Sequence, residues 1–280
     1  MNDAPVLVLG GTGKTGRRVV ALLHRHGHPV RAASRSGSTR FDWHDESSWT
    51  AALAGAGAVY LVDSGGTDAA AQLTEFCARA AAVGVRRLVL LSARDWGASG
   101  DPELLAGERA VQQAGLDATI IRPTWFAQNF SEFPVLWHPL RRGELVLPTG
   151  DGLEPFVDVD DIAEVAVAAL TRSGHAGQTY QLSGPRLLGF GAAVREIAEA
   201  TGRDLRYRAV SRSEYLAGLT GAGTPAEEAE SLVRSLGWIA EGRNAYLSDG
   251  VRQVLGREPR DFADYVRDTA PTGAWDPDRG

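Results

Sequence analysis

Three glycines spaced three residues apart, directly after a short apolar run, constrain the fold of this chain more than any other feature. Val6–Leu9 leads into Gly10-Gly11-Thr12-Gly13-Lys14-Thr15-Gly16, and residues 15–26 continue with the apolar spacing of a helix. Gly10 permits a tight turn off the strand, Gly13 lets the backbone approach a pyrophosphate, and Gly16 lets the helix pack closely. Because a helix N-terminus attracts phosphate, we predict a dinucleotide site; a purely structural turn is the alternative. Its predicted members here are Gly10, Thr12, Gly13, Lys14, Thr15 and Gly16.

Apolar runs alternate with helical patterns through the first half of the chain. Strands too apolar to face water, alternating with helices, are typical of a parallel sheet with right-handed crossovers. We therefore predict an α/β fold, a doubly wound parallel sheet of the Rossmann type, with a small and mostly helical C-terminal substrate lobe. The predicted strands are Val6–Leu9, Val30–Ala33, Ala58–Val62, Arg87–Leu91, Ala118–Ile121 and Gln178–Leu182.

From about residue 123 the alternation loosens, and no repeat or low-complexity linker separates the second half of the chain from the first. We predict one NAD(P)-binding domain over residues 1–280, with a core of about 1–155 plus 156–185 and a lobe drawn from about 123–155 and 186–270. A helix is expected at about 102–114, and the tail after Ala270 is expected to be loose because proline and glycine recur there.

Composition excludes several classes of function. The net charge of −6 disfavours nucleic-acid binding, and no apolar run approaches the ~20 residues of a membrane span. Cys77 is the single cysteine, and the histidines show no ligand spacing, so no metal is expected. The strand beginning at Val6 leaves no room for a signal peptide, so we expect a cytoplasmic protein. Its oligomeric state, monomer or homodimer, stays open at this point.

The end of the second predicted strand distinguishes the two nicotinamide dinucleotides. It reads Arg31-Ala32-Ala33-Ser34-Arg35-Ser36, without the acidic residue that NAD-binding proteins place there for the ribose 2′-hydroxyl. Arg35, with Ser34 and Lys14 nearby, could instead meet a 2′-phosphate. We predict NADPH rather than NADH; a solvated surface arginine is the alternative. Asp42 and Trp43 are placed to flank the adenine, although Trp43 could equally cap the core.

Five segments together resemble the NmrA-like group of atypical short-chain dehydrogenases/reductases. They are residues 10–16, Leu90-Leu91-Ser92-Ala93, Ile121-Arg122-Pro123-Thr124-Trp125-Phe126-Ala127-Gln128-Asn129, Phe156-Val157-Asp158-Val159-Asp160-Asp161-Ile162-Ala163 and Leu255-Gly256-Arg257-Glu258-Pro259-Arg260-Asp261-Phe262. The resemblance implies a Rossmann fold and a nicotinamide cofactor. Members of the group include quinone reductases, polyketide-tailoring ketoreductases and regulators that bind dinucleotide without turnover.

The catalytic pair of the wider superfamily is absent. Those enzymes use a Tyr-x-x-x-Lys pair after the fifth strand, where the tyrosine donates a proton. Here no tyrosine occurs between Tyr60 and Tyr180, and Lys14 is the only lysine in the chain. Ser92, at the end of the fifth predicted strand, is the remaining candidate for orienting a carbonyl or touching the nicotinamide; a serine satisfying backbone groups is the alternative. Asp63 and Ser64 line the same crevice by topology, and the resemblance implies a nicotinamide contact for Pro123.

Aromatic residues concentrate after the fifth and sixth predicted strands. Aromatic walls with a few polar groups suit a flat ligand, although such a cluster can equally be core. The predicted substrate-binding residues are Trp96, Trp125, Phe126, Asn129, Phe133 and Trp137, and Phe130 belongs to the same aromatic cluster.

Two functions remain open from the sequence. The first is an NADPH-dependent reductase that transfers hydride to a planar aromatic carbonyl or quinone, including ketoreduction in aromatic polyketide or antibiotic biosynthesis. The second is a non-catalytic NADP(H)-binding redox sensor that acts through a protein partner.

Overall fold

The computed structural model describes residues 4–277, which divide into two compact units. The sheet unit comprises the residues up to Pro123, Val159–Leu182 and Asp249–Arg257. The helical unit comprises Thr124–Asp158, Ser183–Ser248 and the residues from Glu258 onward. The chain therefore leaves the sheet unit after Pro123 and returns to it twice.

Eleven strands occur within residues 4–277. They are β1 (Val6–Leu9), β2 (Val30–Ser34), β3 (Thr39–Arg40), β4 (Ala58–Val62), β5 (Arg87–Leu91), β6 (Asp117–Pro123), β7 (Glu144–Leu147), β8 (Leu153–Glu154), β9 (Thr179–Leu182), β10 (Leu188–Gly189) and β11 (Arg206–Ala209).

The helices of the same residues occur along the chain from the glycine loop to the last segment. They are α1 (Lys14–Arg25), α2 (Ser47–Leu53), α3 (Ala69–Ala82), α4 (Arg94–Ser99), α5 (Ala106–Gln112), α6 (Asn129–Glu132), α7 (Pro134–Arg142), α8 (Val159–Thr171), α9 (Phe190–Thr201), α10 (Arg212–Gly221), α11 (Ala226–Ala240), α12 (Gly250–Leu255) and α13 (Phe262–Thr269).

Seven parallel strands form the sheet of the first unit, in the order β3-β2-β1-β4-β5-β6-β9. All four residues of β1 are buried, as the apolar run predicts for a central strand covered on both faces. The strand order reverses at β1, which is where a doubly wound sheet opens its crevice. The predicted doubly wound α/β fold is confirmed.

The connection between β5 and β6 differs from the sequence prediction. A single helix was expected at about 102–114, but the chain forms α4 and α5 with an irregular turn between them. Gly100 ends α4 in a left-handed conformation with φ of 69°, and Pro102 follows in the turn. Glycine and proline there make the continuous helix unfavourable.

A buried ion pair joins α5 to β6. The Glu108 side chain is only 3% exposed, and its carboxylate accepts bonds from Nε and Nη2 of Arg122 at 2.8 and 2.5 Å. The Arg122 guanidinium also lies against α4, because a Cβ built on Gly97 would be 2.8 Å from Nη1. This arginine therefore holds both helices of the β5–β6 connection.

A second buried carboxylate links α12 to the rest of the sheet unit. Asp161, in the first turn of α8, is fully buried and accepts a 2.7 Å bond from Nη2 of Arg257, just beyond α12. Gly250, the first residue of α12, approaches β9 so closely that a Cβ would lie 2.2 Å from the carbonyl oxygen of Gln181. The spacing of apolar residues did not predict α12.

An aromatic core organises the helical unit. Phe130 is fully buried, and its ring centroid lies 5.2 Å from that of Phe156, 5.5 Å from Phe190 and 5.1 Å from Phe262. For Phe130, the core interpretation of the aromatic cluster is therefore the correct one.

The segment after Ala270 is held in place up to residue 277, contrary to the predicted loose tail. Trp275 is 1% exposed, and its indole N–H donates to the carbonyl oxygen of Phe130 at 2.8 Å. The indole N–H of Trp137 donates to the carbonyl of Ala274. Burial of one large aromatic side chain outweighs the local preference of proline and glycine for irregular chain.

The helices of residues 4–277 include none with the length and apolar character needed to cross a bilayer. The longest, α11, has 15 residues.

We predict that Phe130→Ala lowers the free energy of unfolding by about 3–5 kcal/mol, because it opens a cavity in the aromatic core. Leu247→Ala in the same unit, where the side chain is 51% exposed, is the control and should cost little. Urea unfolding followed by circular dichroism measures both, and equal losses would contradict the core assignment.

We also predict that Glu108→Ala lowers the free energy of unfolding by about 3 kcal/mol, because it leaves the Arg122 charge largely buried without this carboxylate. Asp204→Ala is the matched control, since Asp204 pairs with Arg206 where both side chains are more than 70% exposed. The same urea series should show no measurable change for the control. A small effect of Glu108→Ala would mean that the pair does not hold α5.

Candidate cofactor and active site

The glycine loop after β1 has the geometry predicted for a phosphate site. Gly10 adopts φ of 63°, in the left-handed region that permits the turn. A Cβ on Gly16 would lie 2.1 Å from the carbonyl oxygen of Gly10, so only glycine allows α1 to start this close to the loop. A Cβ on Gly13 would meet only that same oxygen, at 3.2 Å, and Gly13 is exposed. The loop backbone is therefore open to a ligand at Gly13.

The first turn of α1 can attract an anion. Its N-cap, Gly13, provides no side-chain cap, and no acidic residue occurs in the turn. Thr12 is exposed, Lys14 is half-buried and Thr15 is buried. Within the turn itself, therefore, no acidic residue opposes the attraction of the helix dipole for an anion beside this loop.

The end of β2 carries polar groups whose hydrogen-bonding capacity is unused. Oγ of Ser34 is buried, and no residue of 4–277 hydrogen-bonds to it. Arg35 is exposed, and its guanidinium has neither a hydrogen bond nor an ion pair with the part of the chain described. Buried hydroxyls normally have partners, so Ser34 and Arg35 together fit an external anion such as a 2′-phosphate.

Asp42 and Trp43 follow β3, and both are half-buried. The Asp42 carboxylate accepts a 3.0 Å bond from the backbone N–H of His44. The Trp43 indole N–H donates to the carbonyl of Val62 at 2.9 Å, and its ring packs edge-on against Phe41 at 5.0 Å. Trp43 therefore does cap the core; its contact with an adenine stays a prediction.

Asp63 and Ser64 stand at the end of β4. Burial raises the pKa of the Asp63 carboxyl, although the 3.1 Å bond from the Gly65 N–H to its Oδ1 opposes that rise. Oγ of Ser64 is a second buried hydroxyl without a hydrogen-bond partner among residues 4–277. It also fits a polar ligand at this edge of the sheet.

Ser92 and Pro123 mark the ends of β5 and β6, and both are buried. The Ser92 hydroxyl donates to Oε1 of Glu108 at 2.5 Å, so its single hydrogen is already used. Glu108 was not predicted as a site residue. It stands in the helix that carries the Tyr-x-x-x-Lys pair in the wider superfamily, but spacing alone cannot show that its side chain turns inward to Ser92.

Every predicted cofactor residue therefore belongs to the sheet unit and lies in the glycine loop or at or just after the carboxyl end of a strand. The carboxyl ends of parallel strands lie along the same edge of the sheet, so the fold brings these residues together there. The open loop at Gly13, the unused hydroxyls of Ser34 and Ser64 and the unpaired Arg35 fit a phosphorylated dinucleotide. Which of them contact it stays a prediction.

The predicted substrate residues divide between the two units. Trp96 lies on α4 in the sheet unit, half-buried. The helical unit contains Trp125, Phe126, Asn129, Phe133 and Trp137, each also half-buried. Of these, Trp137 is engaged within its own unit, because the Arg141 guanidinium lies 5.0 Å from its ring centroid and its N–H is bonded. Contact of the six with a substrate stays a prediction.

The described residues include no group of three or more His, Cys, Asp or Glu side chains arranged to hold a metal ion. Cys77 is buried, and burial raises the pKa of its thiol to about 12, so it is not a reactive thiolate.

The chain is similar to known proteins over nearly its whole length. A model of the NmrA-like family matches residues 2–266. The uncharacterized oxidoreductase YesF of Bacillus subtilis (strain 168) is 32% identical over 274 residues, which cover 95% of each protein. Agroclavine dehydrogenase of Claviceps fusiformis is 33% identical over 281 residues, covering 94% of this chain and 96% of the dehydrogenase.

The fold also matches solved structures. The NADPH complex of the quinone oxidoreductase QOR2 from Escherichia coli superposes with a TM-score of 0.79 at 23% identity, covering 93% of this chain and 98% of that one. The sequence matches extend over nearly the whole chain and include the glycine loop and the strand ends described above. The chain therefore belongs to the NmrA-like family.

Proposed function

We propose that this protein is a reductase that uses NADPH to transfer a hydride to a planar aromatic carbonyl or quinone. The observation that carries the proposal is the edge of the sheet unit. It combines a glycine loop open at Gly13 with unused polar groups at Ser34, Arg35 and Ser64, and the adjoining α5 lacks a tyrosine–lysine pair.

The chain is an NAD(P)H-dependent oxidoreductase. Its relatives of more than 30% identity include an oxidoreductase and a dehydrogenase, and both align with it over nearly their entire length. The glycine loop that binds the dinucleotide in such enzymes has the required geometry here.

The preference for NADPH is supported by the end of β2. A 2′-phosphate would give the exposed Arg35 guanidinium a charged partner and the buried Ser34 hydroxyl an acceptor. No carboxylate stands between Ala32 and Phe41 to bind a ribose 2′-hydroxyl instead. Both features favour the same cofactor.

The absence of a tyrosine that donates a proton supports the proposed class of substrate, a planar aromatic carbonyl or quinone. When bound, NADPH supplies a hydride, that is, two electrons and one proton. In this proposal the residues of the sheet edge hold the cofactor phosphates, and none of them replaces the tyrosine. A quinone delocalises the incoming charge, and a ketone flanked by a phenol receives its second proton from that phenol or from water. We therefore favour quinones and aromatic polyketide ketones over aliphatic ketones.

The alternative is a redox sensor that binds NADP(H) and acts through a protein partner. One observation favours it: the standard catalytic pair is absent while the glycine loop is intact. Turnover distinguishes the two functions, because a sensor binds the cofactor without oxidising it.

We predict that Arg35→Ala weakens NADPH binding about 10- to 100-fold, because it removes a charged donor to the 2′-phosphate, and changes NADH binding less than about twofold. Arg86→Ala is the control, since it removes the same charge from the exposed residue just before β5, at the amino end of the strand. Fluorescence titration of both cofactors measures the ratio. Equal losses for NADPH and NADH in Arg35→Ala would refute the phosphate assignment.

We further predict that the protein oxidises NADPH with quinones and aromatic polyketide ketones at a kcat/KM at least about tenfold above that for simple aliphatic ketones. Nicotinamide absorbance follows the reaction across the panel, with the same titration recording cofactor affinity. A best substrate that is an aliphatic ketone would contradict the substrate class. Tight NADPH binding with no oxidation would favour the sensor.

A further inference from the structure

The hydroxyl of Ser92 is oriented by groups behind it. It lies immediately after β5, 6% exposed, and donates its hydrogen to Oε1 of Glu108 at 2.5 Å. Its backbone N–H is bonded to the carbonyl of Ile121 at 2.8 Å. A serine hydroxyl has one hydrogen and two lone pairs, so only its lone pairs remain for a ligand.

Glu108 is held as the acceptor in this bond. Nε of Arg122 donates to both of its carboxylate oxygens, at 2.8 and 3.2 Å, and Nη2 donates to Oε2 at 2.5 Å. Both carboxylate oxygens thus accept from Arg122 N–H groups in a charge-assisted pair, and a carboxylate in such a pair offers Ser92 only an acceptor. The direction of the Ser92–Glu108 bond is therefore fixed by Arg122.

We propose that Ser92 presents a hydrogen-bond acceptor, not a donor, to the ligand at the carboxyl end of β5, and that Glu108 and Arg122 are positioning residues for it. The ligand group it takes is a neutral N–H or O–H donor. This inference rests on the proposed reductase function, within which it assigns Ser92 a role opposite to that of a serine that polarises a carbonyl.

The chemistry of the three residues supports this direction. If the hydrogen of Ser92 turned to a substrate oxygen instead, the serine oxygen would face a Glu108 carboxylate oxygen at 2.5 Å with no hydrogen between them, which is unfavourable in a buried site. A bare carbonyl oxygen would likewise face the lone pairs of Ser92. An N–H or O–H group of the ligand avoids both unfavourable contacts and donates a hydrogen bond to a lone pair of the Ser92 hydroxyl.

Two sources can supply such a donor at this edge of the sheet. One is the carboxamide NH₂ of the nicotinamide, and the other is a hydroxyl beside the reacting carbonyl of the substrate. Both have the same hydrogen-bond polarity, so the experiment needs one arm for each.

The cofactor arm compares NADP⁺ with its 3-acetylpyridine analogue, which keeps the carbonyl but lacks the N–H donors. If Ser92 accepts from the carboxamide, the wild type binds NADP⁺ about fivefold more tightly than the analogue, the value expected for one neutral hydrogen bond. Ser92→Ala should bring this ratio close to one. Calorimetric titration measures binding without requiring turnover.

Glu108→Gln tests the positioning role separately. The glutamine amide accepts from Arg122 and donates to Ser92, which frees the serine hydrogen and reverses the polarity of the hydroxyl. The ratio should again fall towards one, although the side chain keeps its shape. Thr119→Val is the matched control: it removes a buried hydroxyl from β6 that bonds the carbonyl of His175, and the ratio should stay at the wild-type value.

The substrate arm uses a hydroxynaphthoquinone and its methyl ether, with their binding to the NADP⁺ complex followed by tryptophan fluorescence. If the hydroxyl is the donor, the wild type prefers the hydroxylated compound about fivefold, and Ser92→Ala and Glu108→Gln lose the preference while Thr119→Val keeps it.

A change in either arm supports the acceptor role and identifies its source. No change in both arms for folded Ser92→Ala and Glu108→Gln proteins overturns it, as would a wild-type preference for the analogue or the ether. Absence of turnover with these compounds would count against the reductase function alone, because both arms record binding.

Discussion

The contact between Gly16 and the carbonyl oxygen of Gly10 is the constraint on which the cofactor edge depends. Any side chain at Gly16 would push α1 away from the loop, because its Cβ would lie 2.1 Å from that oxygen. With glycine there, α1 begins directly beneath the loop and aims its first-turn amides at the space beside Gly13. The proposed phosphate site is thus a consequence of backbone packing, and in our proposal the side chains at the other strand ends add selectivity to it.

The polar groups buried in the sheet unit are of two kinds. Some are paired within the unit and stabilise the fold, and others have no hydrogen-bond partner among residues 4–277 and can bind a ligand. The Glu108 and Asp161 carboxylates are paired within the unit, with Arg122 and Arg257, and these ion pairs hold α5 and the segment after α12. Ser34 and Ser64 are buried at the sheet edge without partners among residues 4–277. An unsatisfied buried hydroxyl destabilises the protein on its own, so such groups are expected where a ligand completes the bonding.

The aromatic residues of the helical unit show why composition alone does not locate a substrate site. Phe130 and Trp275 are core, because each is almost entirely buried and contacts aromatic rings of its own unit. Trp125 and Phe133, close to Phe130 in sequence, also pack against this core, but they are only half-buried and keep part of their surface for other contacts. Trp125, Phe130 and Phe133 are neighbours along the chain, but only the folded protein shows which of them is fully buried and which keep surface that a ligand can meet.

Local sequence patterns were enough to establish the parallel sheet, the glycine loop and the family, because strand burial, glycine spacing and helix periodicity are local properties of the chain. The absence of the tyrosine–lysine pair was equally clear, because it follows directly from which residues the sequence contains and where they stand. The folded chain was needed to show that Glu108 turns to Ser92, that α12 returns to β9 and that Trp275 anchors the last segment. Each of these joins residues far apart in sequence or depends on the direction of a buried side chain. The free energy of such contacts comes from burial and charge pairing in the folded protein, which no local pattern records.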